Sequence, residues 1–413
     1  MIAYQQHVFP NGLTLITNTD QNTPLLVVNI LYKVGSRNEH PDKTGFAHLF
    51  EHLMFGGSRH VPDYDKRLQQ VGAENNAFTN TDITNYYIIL GAENIETALW
   101  VESDRMQFLN LDQKSLDTQK NVVIEEFKQR YLNVPYGDVW LKLRPLAYKT
   151  HPYRWATIGK EIGHIENASL NDVQQFHSTF YGPENAVITL AGNINHQLAI
   201  DLVGKWFGNI PRGTAQIENL PVELPQLTGR HLQIEENVPL DAIYKAYHMP
   251  GRTDKKYVVA DLLSDVLGHG KSSPLYQHLV KEEQIFSNIN AYITGSADPG
   301  LLVVSGKVNP GVSLEKAEQY ILEEITSLKA TLKQEDIEKV INQAQSTTYF
   351  AETELLNKAI NLSLSNALGD TSLINDEIER IGKVSRQEIE QMAGEILVPE
   401  NCNTIYYKST SKA

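Results

Sequence analysis

Polar and apolar residues alternate from Gln6 to Phe9 and again from Leu13 to Thr17, with Asn11-Gly12 between them, which predicts an early β-hairpin. A long strand follows from Leu25 to Lys33. Between Gly35 and Thr44 the chain is polar and turn-rich. It then reads Gly45-Phe-Ala-His-Leu-Phe-Glu-His-Leu-Met-Phe-Gly-Gly57, a helical stretch stopped by two glycines. Further strands are predicted at Asn75 to Asn80, Thr84 to Leu90 and Ala186 to Ala191. Helices are predicted at about Asn94 to Phe108, Gln113 to Leu132 and Leu170 to Tyr181.

From Pro211 to Pro225 the helical and strand periodicities fade into Pro and Gly punctuation, the pattern of an interdomain linker. Beyond it the order starts again: strands at His231 to Glu235 and Ala242 to His248, a turn at Pro250-Gly251, and a helix from Asp254 to Leu267. Gly35 and Gly251 each follow a strand and precede a helix. This repetition predicts an α+β protein of two homologous domains, each a mostly antiparallel sheet with helices packed on one side. The expected boundaries are 1–212 for the first domain, 213–228 for the linker and 229–413 for the second. Aligning the two glycines sets Ser264, Leu267 and Gly268 opposite His48, Glu51 and His52, so only the first domain has metal-binding side chains there.

Composition narrows the function. At 413 residues the chain exceeds what one core usually organises. No apolar run approaches the roughly 18 residues of a membrane span, so a soluble protein is expected. A formal charge of −14 argues against nucleic acid or anionic lipid as partner. Cys402 is the one cysteine, which excludes an intrachain disulfide and a thiolate metal cluster and leaves histidines and carboxylates as metal ligands. The opening Met1-Ile-Ala-Tyr-Gln-Gln-His has no basic, apolar and small-residue succession of a secretory signal, and the expected location is the cytoplasm.

His48, Glu51 and His52 stand at i, i+3 and i+4, so one helix face presents all three. Two imidazoles one turn apart can share a Zn²⁺ at about 2.0 to 2.1 Å each, with the carboxylate between them placed to take a proton from a water. Leu49, Phe50, Leu53, Met54 and Phe55 make this helix apolar nearly all round, hence buried, and buried polar groups need partners. A satisfied core histidine pair is the competing reading. A third ligand is found in the helix around Glu126, where Gln119, Val122, Val123, Glu126 and Phe127 form the inward stripe, while Glu125 falls with Thr118, Asn121 and Gln129 on a polar face. Taken alone, a glutamate in such a stripe is more often an ion-pair partner than a ligand. The two histidines make Glu126 the expected third donor.

The order His-x-x-Glu-His with a glutamate on a later helix is the inverted form of the commoner zinc-peptidase motif. Together with Gly72-Ala-Glu-Asn-Asn-Ala-Phe-Thr79, Val122-Val-Ile-Glu-Glu126, His151-Pro-Tyr-Arg-Trp-Ala-Thr-Ile-Gly159 and Tyr181-Gly-Pro-Glu-Asn-Ala186, it resembles the pitrilysin family, which includes insulin-degrading enzyme and mitochondrial processing peptidase. The resemblance implies half of a clamshell that closes on peptides or unfolded segments, one Zn²⁺ per chain, Glu51 as the catalytic base, and a partner chain, homologous or identical, completing the shell. It also implies that Asn76, Ala77 and Phe78 form a strand edge that aligns the substrate backbone.

Two positions depart from the family pattern. Gln119 stands where many members have a second glutamate; it is either a neutral amide near the metal ligands or a surface residue. Ser272-Ser-Pro-Leu-Tyr-Gln277 leads to Val280 and Ser287 where members resembling it have a substrate-binding Arg and Tyr. Either a different chain supplies that pair in a heterodimer, or Tyr244 or Tyr276 does the work in cis, or Val280 and Ser287 are not the matching positions. The function expected is a zinc metalloendopeptidase subunit. The rival readings are a non-catalytic partner subunit and a zinc hydrolase acting on a non-peptide amide or ester.

Overall fold

A computed structural model describes residues 1–213 and 219–411. Part of the expected linker, 214–218, lies outside the described residues. The chain forms two compact units, neither of them a continuous stretch. One comprises Met1–Lys128, Trp155–Pro221 and Tyr349–Asp376, the other Gln129–Arg154, Val222–Thr348 and Glu377–Ala413.

The first unit is built on a six-stranded sheet of β1 (Gln5–Val8), β2 (Thr14–Thr19), β3 (Leu25–Tyr32), β4 (Glu74–Thr79), β5 (Thr84–Gly91) and β6 (Ala186–Gly192), in the order β1-β2-β6-β3-β5-β4. The pair β2 and β6 is parallel; all others are antiparallel. The predicted hairpin is β1 and β2, turning at Gly12, whose φ of 92° suits a residue without a Cβ.

The second unit holds β7 (Arg230–Glu236), β8 (Ala242–Met249), β9 (Phe286–Ile293), β10 (Gly300–Val308) and β11 (Cys402–Ser409), in the order β7-β11-β8-β10-β9. Here β7 and β11 are the parallel pair. With β1 set aside, the two sheets have one and the same connectivity, strand for strand. The repetition read from Gly35 and Gly251 therefore extends through the whole topology.

Each sheet also carries a helix from the other half of the sequence. Helix Val139–Ala147 packs on β7, β8 and β11, burying Val139, Leu143 and Ala147 with Ala242, Ala246 and Ile405. Helix Leu355–Ala367 packs on β2, β3 and β6, placing Ala359 against Val27 and Ala191. It lies on the opposite face of β3 from the residues that meet the other helices, because Val27 and Asn29 alternate with Val28 and Ile30. β3 is therefore buried on both faces. The polar groups on the covered face satisfy one another: the Asn29 amide donates to Asn85 Oδ1 at 3.0 Å and to Ser363 Oγ at 2.9 Å, and Thr189 Oγ1 meets Ser363 Oγ at 2.7 Å. Among the described residues, no helix is long and apolar enough to cross a membrane.

Candidate metal centre

The helix predicted within Gly45 to Gly57 spans Phe46–Leu53. Phe46, Ala47, Leu49, Phe50 and Leu53 are buried, and the Phe50 ring stacks on Phe176 and Tyr181 with centroids 5.0 and 5.1 Å away. This apolar packing sets the rotation of the helix and leaves His48, Glu51 and His52 half-buried on its remaining face.

Helix Gln113–Phe127 brings Glu126 to the same place. Its buried residues are Leu116, Val123, Ile124 and Phe127. Val122, expected on the inward stripe, is exposed, because Leu116, Val123 and Phe127 keep the seven- and eleven-residue spacing of one helix face and turn Val122 toward solvent. Glu126 sits at the margin of that face with its side chain 17% exposed, whereas Glu125 is 60% exposed and paired with Lys128 at 2.7 Å. Gln119 is half-buried two turns earlier on the same helix.

The His48 and His52 rings stand nearly perpendicular with centroids 4.9 Å apart. Glu126 Oε2 lies 3.7 Å from His48 Nε2 and 3.4 Å from His52 Nε2. One ligand atom from each residue falls within 4.8 Å of the others. Both Glu126 distances exceed the roughly 2.7 to 3.2 Å of an N–H···O hydrogen bond. Donors about 2.0 to 2.2 Å from a tetrahedral zinc would stand about 3.4 Å apart. The two distances from Glu126 are close to that value, and a donor set of two imidazoles and one carboxylate suits zinc.

A layer that the sequence reading missed lies beneath the motif helix. Arg105 is buried and grips Glu102 twice, Nε to Oε2 at 2.8 Å and Nη2 to Oε1 at 2.7 Å. Tyr64 Oη donates to the same carboxylate at 2.6 Å. The guanidinium lies 4.3 Å from the Tyr86 ring centroid and 4.6 Å from that of Tyr64. Burial works against the charge on Arg105, and the Glu102 carboxylate together with Tyr64, Tyr86 and Tyr32 more than offsets it. The Tyr86 hydroxyl reaches the Phe50 carbonyl at 3.4 Å, so this layer touches the motif helix directly. Burial pushes the hydroxyls of Tyr86 and Tyr181 well up, and the Glu51 carboxylate is among the charges that add to both shifts. The signal in the sequence was Glu102 and Arg105 at i, i+3, a spacing that reads first as a solvated pair.

Asn76, Ala77 and Phe78 lie on β4, which pairs with β5 on one side and ends the sheet on the other. The Ala77 amide donates to Asn76 Oδ1 at 2.8 Å. In the other unit Val280 packs against the core, while Ser287 is exposed on β9 and donates to the Lys307 carbonyl at 3.2 Å. Tyr244 packs half-buried against the core cluster that includes Val303 and Tyr407, and Tyr276 ends the short helix Pro274–Tyr276. Cys402 is buried at the start of β11.

Comparison with known proteins bears on this geometry. Residues 14–137 match the profile described as insulinase, peptidase family M16, and residues 167–344 match the one described as the peptidase M16 inactive domain. The zinc protease PqqE of Helicobacter pylori is 32% identical over 341 residues, spanning 81% of this chain and 77% of that protein. A probable mitochondrial-processing peptidase subunit beta of Arabidopsis thaliana is 25% identical over 352 residues, 82% of this chain and 65% of that one. Among solved structures, a protease from Helicobacter pylori superposes with a TM-score of 0.92 at 27% identity, covering 99% of this chain and 100% of its own.

Proposed function

Because the chain belongs to peptidase family M16, the insulinase family, we propose that it is a zinc metalloendopeptidase subunit hydrolysing peptides or unfolded polypeptide segments, with one Zn²⁺ per chain held by His48, His52 and Glu126. The observation that carries this reading is the convergence of the three donor atoms within 4.8 Å, from two helices. Bound there, zinc would supply Lewis-acid polarisation of a carbonyl and lower the pKa of a water to about 7.

Glu51 shares a helix face with both histidines. In this reading it accepts the water's proton as general base and returns it to the leaving amine. Gln119, on the Glu126 helix, would offer a neutral amide near the ligands. The free edge of β4 at Asn76 to Phe78 would align the substrate backbone, the peptide displacing the Asn76 side chain from the Ala77 amide. In domain terms, 1–212 would be the catalytic domain and 229–413 its metal-free counterpart.

A second homologous chain would supply the Arg and Tyr that Val280 and Ser287 replace. Support comes from the two side chains themselves: one packs in a core, and the other is a hydroxyl already directed at Lys307. Relatives named as beta subunits of a processing peptidase are in keeping with it. The test is peptide cleavage by the purified chain alone and with a homologous partner carrying both residues. Loss of one oxyanion donor costs about 10² to 10³-fold, so the chain alone should be slow and the partner should raise the rate. Full turnover by this chain alone, unimproved by any partner, would end the heterodimer reading and leave the zinc reading standing.

A further inference from the structure

The helix bearing His48, Glu51 and His52 is eight residues long and begins without a side-chain cap. Its N-cap is Gly45, at φ 88°. The first amides of a helix have no partner within it, and in so short an element an unmet first turn would fray. Here the partner comes from the preceding loop. Glu39 Oε2 accepts the Gly45 amide at 2.9 Å and Glu39 Oε1 accepts the Ala47 amide at 2.8 Å, so one carboxylate straddles the first turn.

Glu39 is 6% exposed. Burial pushes its carboxyl up to about 8, against the pull of the Ala47 and Gly45 amides. The surroundings leave the helix entry little freedom. A Cβ at Gly45 would stand 2.7 Å from the Ile158 carbonyl oxygen. Thr44 Oγ1 meets His164 Nδ1 at 2.8 Å and accepts the Lys160 amide at 2.8 Å, and the Trp155 indole donates to the Ser36 carbonyl at 2.8 Å. The entry is thus wedged against the Ile158 loop on one side and held by the Glu39 carboxylate on the other.

We infer that Glu39 is a positioning residue of the metal centre: by gripping the amides of Gly45 and Ala47 it fixes the first turn of the motif helix, and with it the approach of His48 to Glu126. The Ala47 amide is one residue from His48. Release of the grip loosens the turn that contains His48 first, while Glu126, on a separate helix, stays in place. The inference rests on the zinc reading of the site.

The test is zinc affinity, measured by titrating the metal-stripped full chain against a chromophoric chelator. Glu39→Ala should weaken zinc binding about 10 to 100-fold, the range seen when a ligand's outer support is removed. Glu39→Gln, which keeps the volume and one acceptor oxygen, should recover part of the loss, and it carries the test if the alanine variant does not fold. Val187→Ala, buried near the start of β6, serves as control: it lowers thermal stability without touching the helix entry and should leave zinc affinity unchanged. Parental zinc affinity in both Glu39 variants, or a loss matched by Val187→Ala, overturns the inference alone. A parent chain that takes up no zinc overturns the zinc reading and this inference with it.

Discussion

The two units share a connectivity and differ in what they do with it. Gly35 and Gly251, Ser169 and Ser385, and Pro183 and Pro399 all stand 216 residues apart (251 less 35, 385 less 169, 399 less 183). Each pair performs the same task twice. Beside the glycines, the Ser36 amide donates to the Asn80 carbonyl and the Arg252 amide to that of Ser296. Ser169 and Ser385 each close a capping box, and Pro-Glu-Asn makes the turn that enters β6 and β11. At the spacing of His48, Glu51 and His52 the second unit has Ser264, Leu267 and Gly268, all buried. A Cβ at Gly268 would stand 2.1 Å from the Ala291 amide nitrogen on β9. There the helix has closed onto the edge strand, whereas in the first unit the corresponding face stays half-buried. Backbone landmarks carry the fold; the chemistry depends on whether helix and edge strand stay apart.

The largest effect expected from this contrast is at Glu51. Glu51→Gln should retain zinc and lower cleavage of an unfolded peptide by about 10² to 10⁴-fold, since an amide keeps the shape without serving as a base. Parental activity in the zinc-loaded variant would remove Glu51 from the mechanism.

The next effect lies in the second unit. Gly268→Ala should cost about 1 to 3 kcal/mol in urea unfolding, because the added methyl must displace β9. At the corresponding place, His52→Ala in the metal-free chain should shift stability by less than about 1 kcal/mol, since that face is not packed shut. Equal costs at the two positions would show that the two faces do not differ in how tightly they are packed.

The smallest effect concerns the approach to the edge strands. Gly72 precedes β4 at φ 66° and Gln284 precedes β9 at φ 52°. Gln284→Gly should raise stability by up to about 1 kcal/mol, the left-handed strain relieved being partly offset by glycine's greater freedom when unfolded. Gly72→Gln should lower it by up to about 1 kcal/mol, with the same offset in reverse; a Cβ there has open space around it, so the cost is one of backbone conformation. If Gln284→Gly destabilises, the Gln284 side chain holds the bend through contacts rather than tolerating it.

Much of this was legible in the sequence because it is local. Hairpin, motif helix and the first strands of each unit follow from period and turn residues. The nearness of Glu126, rather than Glu125, to the histidines follows from helix-face arithmetic, although the same arithmetic put Val122 inward when it is exposed. What escaped is long-range or ambiguous in kind. Helix Val139–Ala147 contains Pro145, which reads as a breaker, and nothing local in Leu355–Ala367 tells that it covers a sheet formed by residues far earlier in the chain. Glu102 and Arg105 have the spacing of a surface pair yet lie buried beneath the motif helix. Glu39 sits in a polar loop, and its hold on the Gly45 and Ala47 amides shows only once the loop has folded back.

If His48, His52 and Glu126 together hold one zinc ion, the zinc content of each chain must depend on Glu126 and not on Glu125. After exhaustive dialysis, elemental analysis of the parent, Glu126→Gln and Glu125→Gln should find one zinc per chain in the parent and in Glu125→Gln, and close to none in Glu126→Gln. A full complement of zinc in Glu126→Gln, or its loss in Glu125→Gln, would show that Glu126 is not the third ligand.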